Sequence, residues 1–145
     1  MEKGVNLVVG LVIVSHGALA KGLLDAAQMI LGGQEQIEAI GLAPHEGLSD
    51  LSETIAEAIA RVNRGDGYLL IADLNGGTPC NASGLLIHVP GFHLVSGANL
   101  PMLLEVLMAR STLSANELAV VALEAGKNGV QNVGEEIRRR LKAEQ

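Results

Sequence analysis

Two apolar runs end abruptly at polar residues: "GLVIVSHG", starting at Gly10, and "GYLLIAD", starting at Gly67. Neither alternates between apolar and polar positions, so neither suits a strand with one wet face. Both suit strands buried on both sides of a sheet. Counted as strands, the apolar segments cover residues 7–15, 37–42, 67–73 and 92–96. Helical spacing follows each of the first two: Leu19, Leu23, Ala26, Ala27, Ile30 and Leu31, then Leu48, Leu51, Ile55, Ala58, Ile59 and Val62, recurring every three or four positions. Further helices are predicted near 79–88, over "NLPMLLEVLMAR" and over "SANELAVVALEAGKNG". Alternating strands and helices of this kind predict an α/β fold, a mainly parallel sheet covered by helices on both faces; the flavodoxin-like order 2-1-3-4 is the arrangement that would make strands one and three neighbours. The tail "GEEIRRRLKAEQ" pairs Glu135 with Arg139 and Glu136 with Arg140 at i,i+4 spacing, which predicts a solvated terminal helix.

A chain of 145 residues is sized for one domain with one core, so residues 1–145 are read as a single unit with a variable tail from about 131. Tyr68 and Phe92 are the sole aromatics and the formal charge is -6. Nucleic acid is therefore an unsuitable partner, lacking both stacking platforms and a basic surface. A lone cysteine, Cys80, excludes an internal disulfide and paired-thiolate zinc. With no carboxylate or cysteine at matching spacing, no metal is expected. Lys3, the apolar stretch Leu7–Val14 and the "ALA" at 18–20 imitate a secretory leader, but Glu2 offsets Lys3 and a valine-rich run containing Gly10 suits a strand better. No apolar run reaches the 18 or so residues of a membrane span. A soluble, cytoplasmic protein is expected.

In an open parallel sheet, ligands bind at the carboxyl ends of the strands, where connections diverge to opposite faces. Strand one ends in Ser15, His16 and Gly17; strand three ends in Asp73. As sheet neighbours their ends lie about 4.8 Å apart, so Asp73 can accept a hydrogen bond from one ring nitrogen of His16. Such a carboxylate fixes the tautomer and leaves the other nitrogen as nucleophile or base. The spacing alone is equally compatible with a histidine that merely closes a strand.

The loop "DLNGGTPCNAS", residues 73–83, supplies a second component. Thr78 followed by Pro79 signals a helix start, with threonine as cap and proline in the first helical position. Gly76 and Gly77 let the backbone turn and approach a ligand. Free amides at a helix start suit an anion, although an ordinary turn and cap would read the same way. A nucleophilic histidine, an orienting aspartate and a phosphate-sized cradle suit reversible phosphoryl transfer. No G-x-x-x-x-G-K-[ST] loop accompanies them, so the donor is expected to be another protein rather than ATP. A non-covalent anion-binding module is the alternative from another class.

"VIVSHGALAKGLLDAAQMILG", "IADLNGGTPCNAS" and "VSGANLPMLLEVLMAR", in that order, resemble the landmark segments of the mannose-family IIA component of the bacterial phosphoenolpyruvate-dependent sugar phosphotransferase system. The resemblance runs over about residues 7–130. It implies that His16 is the phosphorylated residue, that Asp73 orients it, and that Gly76, Gly77 and Thr78 stand beside the phosphate, with Ser15 and Asn99 as further site candidates. It also implies that the phosphocarrier HPr donates to Nε2 of His16 and that a IIB component accepts. Membrane contact would then be indirect, through IIC and IID partners, and the resemblance implies no small-molecule cofactor. Members of this family are commonly homodimers that exchange a late strand, so an extra antiparallel edge strand is a further expectation. A relay serving a dihydroxyacetone kinase system or a regulator has the same chemistry. Asn75 and Cys80 stand where family members often carry aromatics, which bears on partner recognition rather than on phosphorylation.

His45, in the loop after strand two, lies at the same sheet edge as His16, where a solvated loop histidine is the more ordinary reading. His88 and His93 flank the turn before strand four, at the opposite edge. Cys80, in the first turn of the third helix, reads best as a small buried hydrophobe.

Overall fold

The computed structural model describes residues 8–145. Glu2, Lys3 and Leu7, on which the reading of the leader-like segment and the start of the first strand rest, lie outside the described residues. The elements are β1 (Gly10–His16), α1 (Leu19–Leu31), β2 (Ile37–Leu42), α2 (Leu48–Val62), β3 (Tyr68–Ala72), α3 (Thr78–Gly84), β4 (Leu94–Ser96), α4 (Leu100–Ala109), α5 (Ala115–Asn128) and α6 (Val133–Ala143). The four strands form one sheet in the order β2-β1-β3-β4, every pair parallel, as the alternation of strands and helices predicts.

The central strands are the ones without alternation. Val12, Val14, Tyr68 and Leu70 pack on one face with Leu51, Ile55 and Ala58 of α2 and Ala82 of α3. Leu11, Ile13, Leu69 and Ile71 pack on the other with Ala20 and Ala27 of α1, Met102 and Val106 of α4, and Leu118 of α5. Each such aliphatic side chain contributes about 1.5–3 kcal/mol by leaving water, and both faces of β1 and β3 collect that contribution. Tyr68 is fully buried, its hydroxyl donating to Val89 O at 3.2 Å; burial raises the pKa of that phenol.

Three local expectations are corrected. The third helix stops at Gly84 instead of reaching 88. Beyond it the chain closes three-residue turns, Leu86 N–H to Ser83 O at 3.1 Å and Val89 N–H to Leu86 O at 2.8 Å, and Val89 precedes Pro90, which disfavours helical backbone. Among the described residues no antiparallel edge strand exists; the late segment is instead the solvated terminal helix expected of the tail, α6, every residue of it exposed. Within α6 the ion pair is Glu135 with Arg138, at 2.6 Å and i,i+3 spacing, in place of the i,i+4 pairs. Exposed pairs of this kind contribute little in either register.

Sequence reading also passed over Arg110, the residue after α4, which is 5% exposed. Its guanidinium donates to Gln36 O at 3.1 Å, to Gln34 Oε1 at 3.2 Å and to Glu35 O, and its carbonyl accepts from Val9 N–H at 3.2 Å. Burial lowers its pKa. Arg110 thereby ties α4 to the start of β2, at the sheet edge opposite His16.

Candidate active site

β1 runs in parallel register with β2 as far as His16↔Leu42 and with β3 as far as Val14↔Ala72. This brings His16 and Asp73 together at the carboxyl edge, although 57 residues separate them. Asp73 Oδ2 receives two hydrogen bonds from one residue: the backbone N–H of His16 at 2.9 Å and Nδ1 of its ring at 2.8 Å. Asp73 N–H in turn donates to Val14 O at 3.1 Å, so the carboxylate is fixed to the strand it serves.

Burial of Asp73 works to raise its pKa. The His16 amide, the His16 ring and, more weakly, the Leu74 amide outweigh that effect and hold the carboxyl below its ordinary 3.8. An ionised carboxylate can only accept, so Nδ1 carries the proton and a neutral ring presents its lone pair at Nε2. The Asp73 side chain is 9% exposed and that of His16 is 52% exposed: the carboxylate is sheltered while the imidazole stands in the open. Asp73 Oδ1 is buried without a hydrogen-bond partner.

The two glycines of the "NGGTP" loop do different things. Gly76 has φ +91°, a conformation that side chains disfavour. Gly77 has an ordinary extended backbone, φ -84° and ψ 161°, and its requirement is space: a Cβ there would lie 2.8 Å from Cε1 of His16 and 3.5 Å from Nε2. The ring is therefore seated on the bare backbone of Gly77. This also corrects the helix start. Gly77 is the N-cap, Thr78 occupies the first helical position and Pro79 the second, with no side-chain cap. The cap residue must pass under the imidazole, which leaves no room for a threonine. Asn81 N–H, bonded to Gly77 O at 2.9 Å, closes the first turn, and Asn81 Nδ2 reaches Gly76 O at 3.4 Å.

The side chains of Ser15 and Asn99 bond backbone groups instead of the His16 ring or the Asp73 carboxylate. Ser15 is 1% exposed; its hydroxyl accepts from Ala20 N–H at 2.7 Å and donates to His16 O at 3.0 Å, bracing the turn that carries His16. Asn99 caps α4 by accepting from Met102 N–H at 2.9 Å and tethers α5 by donating to Gly126 O at 3.0 Å. His45 is exposed in the β2–α2 loop, His88 Nδ1 lies 3.2 Å from Leu85 O, and Cys80 is buried. On the neighbouring strand, a Cβ on Gly41 would stand 2.1 Å from Gly17 O, so β2 packs tightly under the turn that follows His16. A groove of about 640 Å³ between α4 and α5 contains none of these site residues. His16 instead stands on an open edge, an arrangement suited to a partner that brings its own reactive group.

A parallel α/β sheet with an exposed histidine held by a half-buried aspartate, its ring lying on a glycine at a helix start, defines a class of His/Asp-centred α/β proteins. Residues 10–122 match the family EIIA-man, described as PTS system fructose IIA component, and the chain belongs to that family. It is 36% identical over 127 residues to the mannose-specific EIIAB component of Escherichia coli K12, covering 86% of this chain and 39% of that protein. It is 36% identical over 109 residues to the sorbose-specific EIIA component of Lacticaseibacillus casei, covering 74% of this chain and 78% of that one. The chain thus spans well under half the length of the EIIAB relative. Among solved structures, the mannose/sorbose-specific IIA subunit of Enterococcus faecalis superposes with a TM-score of 0.77 at 30% identity, over 87% of this chain and 95% of that one. Among the described residues no helix is long and apolar enough to cross a membrane.

Proposed function

We propose that this chain is a phosphohistidine relay for sugar uptake, with residues 1–145 acting as one IIA unit in the cytoplasm. In the first half-reaction, the Nε2 lone pair of His16 attacks the phosphorus of phospho-HPr. The new N–P bond forms as the donor N–P bond breaks, and that electron pair returns to the HPr imidazole. In the second, a IIB histidine attacks the same phosphorus and the pair returns to His16. Asp73 keeps the proton on Nδ1 and balances the positive charge that grows on the ring while Nε2 is engaged. Gly76, Gly77 and Thr78 provide the backbone cradle beside the transferred group, with the start of α3 favouring its negative charge. IIB would then phosphorylate a sugar entering through IIC and IID, and the relay would work as a homodimer.

The observation that carries this reading is the 2.8 Å contact between His16 Nδ1 and a sheltered, ionised Asp73, with Nε2 left open. Membership of the IIA family supports it. Incubation with phosphoenolpyruvate, enzyme I and HPr is expected to place an acid-labile, alkali-stable phosphate on the chain that is lost in His16→Ala. Absence of label in the unmodified chain overturns the relay and leaves the anion-binding module. Label that persists in His16→Ala moves the site elsewhere.

A further inference from the structure

Asparagine is followed by glycine at two places in the chain, Asn75–Gly76 and Asn128–Gly129, and the backbone holds the two pairs differently. Asn128 is the last residue of α5, and the N–H of Gly129 donates to Ala125 O at 2.9 Å. That nitrogen is engaged in the helical ladder. Asn75 stands in the turn between β3 and α3, is exposed, and its amide makes no hydrogen bond among the described residues. The turn is closed by Gly77 N–H donating to Leu74 O at 3.3 Å, and the Gly76 N–H inside it has no backbone acceptor among the described residues. Gly76 is exposed, has φ +91°, and has no atom within 4 Å of where a Cβ would stand. A residue without a side chain leaves its nitrogen accessible to a neighbouring carbonyl carbon.

We infer that Asn75 is a site of spontaneous deamidation, and that the carboxylate so formed slows phosphoryl transfer at His16. The Gly76 nitrogen, giving up its proton to base, attacks Cγ of Asn75. The new N–Cγ bond closes a succinimide as the Cγ–Nδ2 bond breaks, and ammonia leaves carrying a proton. Water then adds to one of the two ring carbonyls, and the ring opens to an aspartate or an isoaspartate. Water is the co-reactant, and nothing is oxidised or reduced.

The position gives the product its consequence. Asn75 is two residues from Asp73, whose Oδ2 lies 2.8 Å from His16 Nδ1, and two residues from Gly77, on which the ring rests. An aspartate there adds negative charge beside an anionic phosphoryl group, and like charges repel. An isoaspartate adds the same charge and one more backbone carbon, inside the turn that seats Gly77 under the ring. The modification rests on the chemistry of the turn alone; its effect on transfer rests on the relay proposed above.

The test incubates the native full chain in mildly alkaline buffer, beside a urea-unfolded sample, and maps the peptides by mass spectrometry for exchange of an amide NH₂ for OH. In urea the two asparagines are expected to react at similar rates. In the native chain Asn75 is expected to react at least about tenfold faster than Asn128. The deamidated fraction, separated by anion exchange, and fresh Asn75→Asp are expected to accept phosphate from phospho-HPr about fivefold more slowly than fresh wild type, with the deficit shrinking at high salt. Aged Asn75→Gln is expected to keep the rate of its own fresh sample. An Asn75 that survives native incubation, or reacts no faster than Asn128, overturns the site. Deamidation without loss of rate, or an equal loss in aged Asn75→Gln, overturns the consequence. Fresh wild type that takes no phosphate overturns the relay and with it the consequence, while the peptide map still decides the site.

Discussion

At the level of single residues, the site depends on one carboxylate doing two jobs with one oxygen. Asp73 Oδ2 holds both the amide and the ring of His16, so it sets the strand end and the tautomer together. Asp73→Asn is expected to keep the fold and to slow phosphorylation by HPr about 10²-fold or more, because an amide can present its NH₂ to Nδ1, stabilise the other tautomer and fail to balance imidazolium charge. Unchanged transfer rates in a rapid-quench labelling experiment would remove Asp73 from the mechanism. The pH dependence has a definite sign. The folded-state pKa of Asp73 lies below its ordinary 3.8, so its contribution to stability is complete above that value and is lost as the pH falls through the lower, folded-state value. Urea titrations of wild type and Asp73→Asn are therefore expected to show a stability gap that narrows on acidification. A gap that stays constant would mean the charge plays no part. The positions of His16 and Asp73 were legible in the sequence because both terminate apolar runs. The reason for Gly77 was not, since its neighbour in space is the His16 ring, far away in the chain.

At the level of elements, helix ends explain residues that the loop chemistry left ambiguous. Asn99 precedes Pro101 at a strand-to-helix turn near the expected ligand edge, and either a site role or a cap fits that pattern. The structure commits both of its polar atoms, Oδ1 to Met102 N–H and Nδ2 to Gly126 O. Asn99→Ala is accordingly expected to lower stability by about 1–2 kcal/mol, read from denaturant unfolding, with the extent of His16 labelling unchanged; lost labelling in a folded variant would restore a direct role. The same distinction separates Thr78 from Gly77. A threonine–proline pair announces a helix start to within one residue, but which residue is the cap is decided by what passes beneath the cap, here an imidazole. α3 shows the complementary limit: its apolar spacing continues past Gly84, while Pro90 and the three-residue turns before it end the helix early.

At the level of the whole molecule, the two edges of the sheet are divided between chemistry and cohesion. The carboxyl edge carries the exposed histidine; the amino edge is closed by Arg110, whose guanidinium satisfies acceptors on three successive residues, 34 to 36. Arg110→Leu leaves those acceptors unpaired and is expected to cost about 2–4 kcal/mol, seen as an earlier midpoint in urea, while the folded fraction still accepts phosphate at the wild-type rate. A slowed rate in that fraction would show that the two edges communicate. The sequence by itself determined the α/β class and placed His16 and Asp73 at the carboxyl ends of their strands, because these follow from the period and burial of short apolar segments; the strand order came by analogy with the flavodoxin-like fold and is the one observed. The tertiary structure alone decided the geometry of the His16–Asp73 contact, the seat of the ring on Gly77 and the Arg110 clamp. The clearest of these join residues far apart in the chain, 57 positions from His16 to Asp73 and 74 from Gln36 to Arg110, and no local pattern of side chains encodes a distance between segments that only packing brings together.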